Sequence, residues 1–330
     1  VLFRSRLRRV QASLAQVTQQ CGVSVLIHFI HRGDAYLPEL AAYKCFLKGL
    51  GHEATIHASA DGVPSGAAVL WWMCGVVPRG AVLAHAEARH VHEYASASVP
   101  PAAWLKDRLK QWQQPRPHYR IFQSAWVKDR MGFDDGVPYD YRDMGVCDDI
   151  LGTSRQLPPP QFDFVYLGDM GRLAGFRHLL EGIESTGRTL LLIGALPDEL
   201  QYWLNGRPFA TPVGRVPHPE VPALLASARY GLNVMPDRAP YNQQTSTKLL
   251  EYCAAGLPVV STDYPWVRRF EQATSARFIY LPDRATATDY AQRLGPALDR
   301  QGVVAGVLRL HALERLPEQV ALWRAAAAPA

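Results

Sequence analysis

Residues 241–263 read YNQQTSTKLLEYCAAGLPVVSTD, and this stretch decides the fold. Thr245, Ser246 and Thr247 are small hydroxyl residues suited to a helix N-cap. A compact helix follows over 248–255; Gly256 suits its left-handed cap and Pro258 discourages its continuation. Val259, Val260 and Ser261 then read as a short buried strand. A helix start of this kind offers free backbone N–H groups and the positive end of a dipole to an anion. Lys248 adds a full charge at that mouth, and Glu251 lies on the same face one turn below. A cation above a carboxylate suits a nucleoside diphosphate with its ribose attached, because a carboxylate accepts hydrogen bonds from two hydroxyls. The competing reading is a solvated helix surface on which Lys248 and Glu251 pair with each other.

Working outward, strands and helices alternate on both sides of this stretch. Residues 24–30 (SVLIHFI) predict a buried strand, 38–50 a helix, 53–57 a second strand and 67–74 a third. Residues 89–94 (RHVHEY) and 119–123 predict further strands, with helices over 104–112 and 126–131 and a loop over 132–149. Residues 148–161, holding three consecutive prolines, are the best linker. Beyond it the pattern restarts. Strands are expected over 162–167, 189–193, 210–216, 230–235 and 277–281. A loop over 168–172 leads into a helix ending near Ile183, and further helices are expected over 197–204, 221–228, 285–299 and 317–326. Alternation in both halves predicts an α/β protein of two facing Rossmann-like, doubly wound parallel-sheet domains with a cleft between them. The domains are 1–155 and 156–330, with the C-terminal helices free to pack back on the first. Neither half carries a full G-x-G-x-x-G, which argues against a dinucleotide dehydrogenase.

Composition narrows the class. The chain has 330 residues, 48% hydrophobic and 20% charged, the balance of a folded protein with room for two domains. Its longest apolar run, 67–77, is too short to span a bilayer, and no secretory signal is evident. Five scattered cysteines, an odd number without a C-x-x-C, read as reduced thiols in a cytoplasmic protein. The net charge is +5, part of it in Arg4, Arg6, Arg8 and Arg9. No nucleic-acid recognition motif accompanies that charge, so an anionic membrane face or an anionic substrate is the expected partner.

Two further stretches carry candidate chemistry. His92 and Glu93 fall at the C-terminal end of a predicted strand, where parallel sheets bind ligands, and either could act as a general base on an acceptor hydroxyl. His85, His90 and His92 crowd together without a fourth ligand at a recognised spacing, so no metal site is expected. No Asp-x-Asp at a strand end is available to hold Mg²⁺ or Mn²⁺. Residues 104–120 (WLKDRLKQWQQPRPHYR) form an amphipathic helix with a basic tail, the pattern of a segment lying on an anionic membrane surface. The competing reading is an ordinary helix that packs its apolar face inward.

The second half resembles the donor domain of GT-B glycosyltransferases, closest to family four. The resemblance rests on YLG with its loop, LLLIG, VGRVPHPEVPALLASARYGLNVMP and STKLLEYCAAGLPVVSTD. The first half resembles the acceptor domain more loosely, through the Gly33 loop and LKGLGHEATI. The resemblance implies a metal-independent hexosyltransferase using a UDP- or GDP-sugar, with a saccharide or lipid-linked acceptor, in surface polysaccharide or glycolipid synthesis. The cysteine pattern and the 104–120 segment give the expected location: cytoplasmic, peripheral on the inner face of the plasma membrane. It implies that Glu251 binds the ribose, that Thr245, Ser246, Thr247, Lys248 and Arg172 take the diphosphate (with Arg177 as competitor), and that Val216 and Pro217 meet the base. Gly33 joins the donor contacts, and a histidine near His92 touches the donor sugar. Many retaining members carry a glutamate eight positions before the one matching Glu251; this chain has Gln243 there. Retention is still favoured over inversion. A GT-B-fold sugar-nucleotide epimerase and a non-catalytic nucleotide-sugar binder are the alternatives.

Overall fold

A computed structural model describes residues 24–33, 37–49, 51–73, 75–146, 150, 159–274, 276–295 and 298. Arg4, Arg6, Arg8 and Arg9, Cys21, Cys74, Cys147, most of the expected linker and the expected helix over 317–326 lie outside the described residues. The chain divides into two compact units, one running up to Gly145 and the other starting at Val146.

The first unit runs β1 (Leu26–Ile30), α1 (Pro38–Gly49), β2 (Glu53–His57), β3 (Val69–Met73), α2 (Arg79–Ala84), β4 (Arg89–Tyr94), α3 (Ala103–Gln113), β5 (Tyr119–Phe122), α4 (Ala125–Met131) and β6 (Tyr139–Tyr141). Its six strands are all parallel, in the order β2-β1-β3-β4-β5-β6. One face of the sheet packs Ile27, Phe29, Val69, Trp71 and Ile121 against Leu40, Tyr43 and Leu47 of α1. The other face packs Ile30, Leu70 and Trp72 with Val63, Val77 and Ala88. Burial on both faces is why the strands are apolar runs and not alternating ones.

The second unit runs β7 (Phe162–Leu167), α5 (Met170–Ala174), α6 (Arg177–Ser185), β8 (Leu190–Ile193), α7 (Asp198–Leu204), β9 (Ala210–Gly214), α8 (Val221–Ala226), β10 (Ala228–Asn233), α9 (Thr247–Ala254), β11 (Val259–Thr262), α10 (Pro265–Thr274), β12 (Ile279–Leu281) and α11 (Ala287–Leu294). These strands are also parallel, in the order β12-β11-β10-β7-β8-β9. From β7 the chain winds outward through β8 and β9, then returns to the other side of β7 at β10 and winds the opposite way. The crevice between β7 and β10 is therefore the topological switch point of the unit.

The expected α/β class and the two parallel sheets are present. Four local expectations need correction. The stretch 132–149, expected to be a loop, contributes the edge strand β6. Helices α2 and α10 stand where no helix was expected. Residues 168–172 are not all loop: Asp169 caps α5, accepting from the N–H groups of Gly171 and Arg172, so Arg172 is helical. The cap explains the difference, because an Asp directly after Gly168 starts a helix one residue into the turn.

Candidate functional site

The stretch 241–263 sits at the C-terminal edge of the second sheet, over the switch point. Pairing of β10 with β7 is recorded from Ala228↔Phe162 to Gly231↔Val165. At the ends of these strands the hydroxyl of Tyr252, from α9, enters between them. It accepts the Leu167 N–H at 2.9 Å and lies 3.4 Å from the Val165 carbonyl and 3.3 Å from the Leu232 carbonyl. Residue 231 must be glycine for this wedge to fit, since a Cβ there would lie 2.4 Å from the Tyr252 ring.

The wedge fixes α9 with its N-terminus over the crevice. Ser246 occupies the N-cap but does not cap: its buried hydroxyl donates to Asn233 Oδ1 at 2.7 Å. Asn233 in turn donates to Ser261 and Tyr264. The first-turn N–H groups of α9 are thus left without a side-chain cap, the arrangement that binds anions at helix starts.

Lys248 is buried beside that mouth. Its Nζ donates to the Tyr166 hydroxyl at 3.0 Å and stands 4.2 Å above the Tyr166 ring centre. The Tyr166 hydroxyl donates onward to the Asp169 carbonyl at 2.9 Å, which ties α9 to the loop after β7. Burial, with the nearby positive charge of Arg172 adding to it, lowers the Lys248 pKa from 10.5 to about 7. Burial works against the ammonium form of this lysine, and an anion at the helix mouth would favour it.

Arg172 projects from α5, with its guanidinium 5.4 Å from the Tyr241 ring centre and 3.8 Å from Asp169 Oδ2. Arg238 lies 5.7 Å from the same ring. Together with Asp169, Phe176 and Asp283 they line a cleft of about 410 Å³ beside the helix mouth. Arg177, the competitor, pairs instead with exposed Glu199 at 2.8 Å and does not line that cleft.

The loops after β7 and β8 approach closely. Gly194, at φ +153°, is where a Cβ would fall 2.3 Å from the Gly168 carbonyl. The Gly194 N–H donates to Gly214 O, and Gly168 N–H to Ile193 O, so the ends of β7, β8 and β9 are laced together.

Glu251, one turn along α9, is largely buried, with Oε1 3.5 Å from His218 Nε2. His218 opens the short 3₁₀ turn His218–Glu220 after β9 and directly follows Val216 and Pro217. The structure thus brings together Lys248, Glu251 and Arg172 with the hydroxyl-rich start of α9, and sets His218, next to the Val216–Pro217 pair, against Glu251. Thr245 and Thr247 are half-buried at the same helix start. Gln243 lies in the 3₁₀ turn Tyr241–Gln243, and its side-chain oxygen accepts from Arg269 at 3.0 Å. Five contributors were not singled out from sequence: His218, Tyr166, Tyr241, Arg238 and Tyr252. His218 was within reach, because it lies inside the quoted VGRVPHPEVP segment. Tyr166 and Tyr241 also lie inside quoted segments, YLG and YNQQTSTK, but nothing in those segments shows which cations they meet.

In the first unit, Gly33 lies in the loop after β1 at φ +135°, with open space where a Cβ would stand. His92 and Glu93 do sit near the C-terminal end of β4, but both are interior. His92 is fully buried; burial, with Arg120 adding to it, lowers its pKa from 6.5 to about 3, so the ring is neutral. Its Nδ1 lies 3.4 Å from the Tyr94 hydroxyl, and its Nε2 has no hydrogen-bond partner. Glu93 accepts from Trp71 Nε1 at 2.8 Å and from the Tyr43 hydroxyl at 3.1 Å, and is in close contact with the Arg142 guanidinium. Arg142 also reaches Glu39 at 3.4 Å. Glu93 is therefore one member of a buried ionic cluster under α1, with its oxygens committed, and not a base exposed to an acceptor. Among the described residues no group of three or more His, Cys, Asp or Glu could hold a metal ion, and no helix is long and apolar enough to cross a membrane.

Residues 161–299 match the family model described as glycosyl transferases group 1. No curated protein sequence matches the chain. Among solved structures, the chain is similar to Anabaena HepE in complex with UDP-glucose, at 11% identity and a TM-score of 0.63, over 92% of this chain and 98% of that one. It is similar to sucrose-phosphate synthase from Thermosynechococcus elongatus at 13% identity and a TM-score of 0.60, over 91% and 96% of the two chains. A DNA-modifying β-glucosyltransferase follows at 15% identity and a TM-score of 0.51, over 92% and 99%. At these identities the likeness concerns the fold, which is GT-B.

Proposed function

We propose that this protein, whose residues 161–299 match the glycosyl transferases group 1 model, moves a sugar from a nucleoside diphosphate sugar to a hydroxyl acceptor without a metal ion. The observation that carries the reading is the uncapped start of α9, with buried Lys248 at its mouth and Glu251 one turn below, set over the switch point. A diphosphate in this mouth accepts from the free N–H groups and neutralises Lys248 and Arg172, while the ribose hydroxyls donate to Glu251, which His218 steadies. The backbone at Val216 and Pro217 meets the base. UDP is the favoured nucleotide, by analogy with the HepE complex.

The chemistry is electrostatic. As the bond from the sugar to the diphosphate breaks, charge builds on the leaving oxygen, and the helix mouth, Lys248 and Arg172 stabilise it. The interior positions of His92 and Glu93 favour retention, because inversion needs a base open to the acceptor hydroxyl. In the retaining route the departing phosphate oxygen takes the acceptor's proton. Surface polysaccharide or glycolipid assembly in the cytoplasm is the setting the family analogy supports.

The test is calorimetry with UDP on the full chain and on Glu251→Ala. Loss of one charged hydrogen-bonding partner is expected to weaken UDP binding by about 1.5–3 kcal/mol with the melting profile retained. Unchanged affinity removes Glu251 from the site. UDP release from a UDP-sugar that depends on added acceptor separates a transferase from an epimerase. It also separates it from a non-catalytic binder, the reading that neutral Gln243, held by Arg269, favours.

A further inference from the structure

Helix α3 is built inside out. Its inward side is polar: Asp107 is buried, accepting from the Ser98 N–H at 3.0 Å and pairing with Arg130 at 3.2 Å. One turn on, Gln111 donates to the Met131 carbonyl, and Gln114, the C-cap, accepts from Val77 N–H and donates to Gly75 O. These three residues share one face, with Ala103. The apolar residues face the other way. Leu105 is 53% exposed, Leu109 46% and Trp112 76%, with Trp104 62% exposed at the flank. At about 100° per residue, Leu105, Leu109 and Trp112 fall within about 60° of one another, opposite Asp107. Exposed Lys106 borders this stripe on one side and exposed Arg108 on the other. The apolar strip continues past both ends of the helix. Val99, whose carbonyl accepts from Lys106, is exposed at one end, and exposed Val76 lies in the loop that Gln114 holds at the other.

We infer that this face of α3 docks the protein on an anionic lipid surface. An exposed tryptophan and leucine stripe of this size is unusual on a folded domain and marks an interaction site. Charge selects the occupant. Between residues 95 and 130 the acidic side chains are Asp107, buried and paired with Arg130, and exposed Asp129, 3.9 Å from Lys128, whereas Lys106, Arg108, Arg116 and Arg130 are exposed cations. Arg79, donating to the Gln113 carbonyl at 3.4 Å, adds a cation at the helix end. A second copy of the same face would bring cation against cation. A bilayer rich in anionic headgroups matches it, with tryptophan at headgroup depth and leucines beneath. The inference stands on the first unit alone and is independent of the donor assignment. If both hold, membrane docking presents the protein to an acceptor carried on a lipid.

The experiment is flotation of the full chain with phosphatidylcholine vesicles, with and without phosphatidylglycerol. The expected result is binding to the anionic vesicles that falls as salt rises. Lys106→Gln with Arg108→Gln should lower partitioning by about 30-fold, at about 1 kcal/mol per cation. Leu109→Ser with Trp112→Ser should abolish it. Because all four side chains are exposed, both variants should keep the wild-type melting temperature and UDP affinity. No flotation of wild type overturns the inference, as does binding that neither variant changes. A concentration-dependent dimer that Leu109→Ser dissolves would assign the face to a second copy instead.

Discussion

Replacing Lys248 with methionine should make the protein more stable and a worse binder of UDP. Lys248 has its pKa lowered from 10.5 to about 7, chiefly by burial. The folded pKa lies below the unfolded one, so the unfolded chain holds this proton more tightly, and the group lowers stability as pH falls from 10.5 through 7. A displacement of that size corresponds to about 4 kcal/mol against folding at neutral pH. Methionine matches the length and removes the ammonium, at the loss of the hydrogen bond to Tyr166, worth about 1 kcal/mol. The net gain should be roughly 3 kcal/mol, or about 6–12 °C in the transition of the second unit. The gap between wild type and Lys248→Met should shrink toward pH 10.5, because neutral lysine no longer carries the penalty. UDP affinity should fall by about 10- to 150-fold with the loss of a charged partner. Wild-type calorimetry in HEPES and Tris buffers at pH 7 should register uptake of about half a proton, as the diphosphate recharges the lysine. A variant that melts lower than wild type by an amount independent of pH would refute the reasoning. So would UDP binding that is unaffected and takes up no proton.

Gly194→Ala should cost about 2–4 kcal/mol, because the new Cβ meets the Gly168 carbonyl at a backbone angle that disfavours side chains. The loop carrying Asp169 would have to shift, so UDP affinity should fall although no ligand-contacting side chain has changed. A urea midpoint equal to wild type would count against the close packing of these loops. In the first unit, His92 is held neutral with a pKa near 3, so its contribution is present above pH 6.5 and lost as pH falls through the window from 6.5 to 3. Between pH 6.5 and 4 this residue should account for about 3 kcal/mol of lost stability. His92→Leu should flatten that acid limb, and an unchanged limb would show the ring to be already solvated.

Most strands of both sheets were legible because they are short apolar runs bounded by glycine and proline, the signature of strands buried on two faces. β6 was not, since Tyr139–Tyr141 is a three-residue polar edge strand with no run to read. α10 was hidden by Pro265, which resembles a breaker yet fits a helix at its first position. The candidate site was legible where its parts are local, as with Lys248 and Glu251 on one helix face. It was illegible where partners come from far along the chain, as with Tyr166 beneath Lys248. The same limit misdirected the reading of RHVHEY. Polar residues at a strand end suggest a reactive edge, but Glu93 is satisfied by Tyr43, Trp71 and Arg142, each about twenty to fifty positions away. For 104–112 the sequence pattern identified an amphipathic helix but could not say which face turns inward. Asp107 settles that, through its bonds to Ser98 and Arg130.

The Tyr252 wedge has a consequence for how such a chain can change. Its hydroxyl and ring fix the gap between β7 and β10 and seat α9 from beneath. The loops after β9 and β10, which carry His218, Arg238 and Tyr241, hang from the rim of that frame. Substitutions in these loops would therefore reshape the rim of the cleft while the seat of α9 stays in place. Rim and frame can vary separately, and the tyrosine is the joint between them.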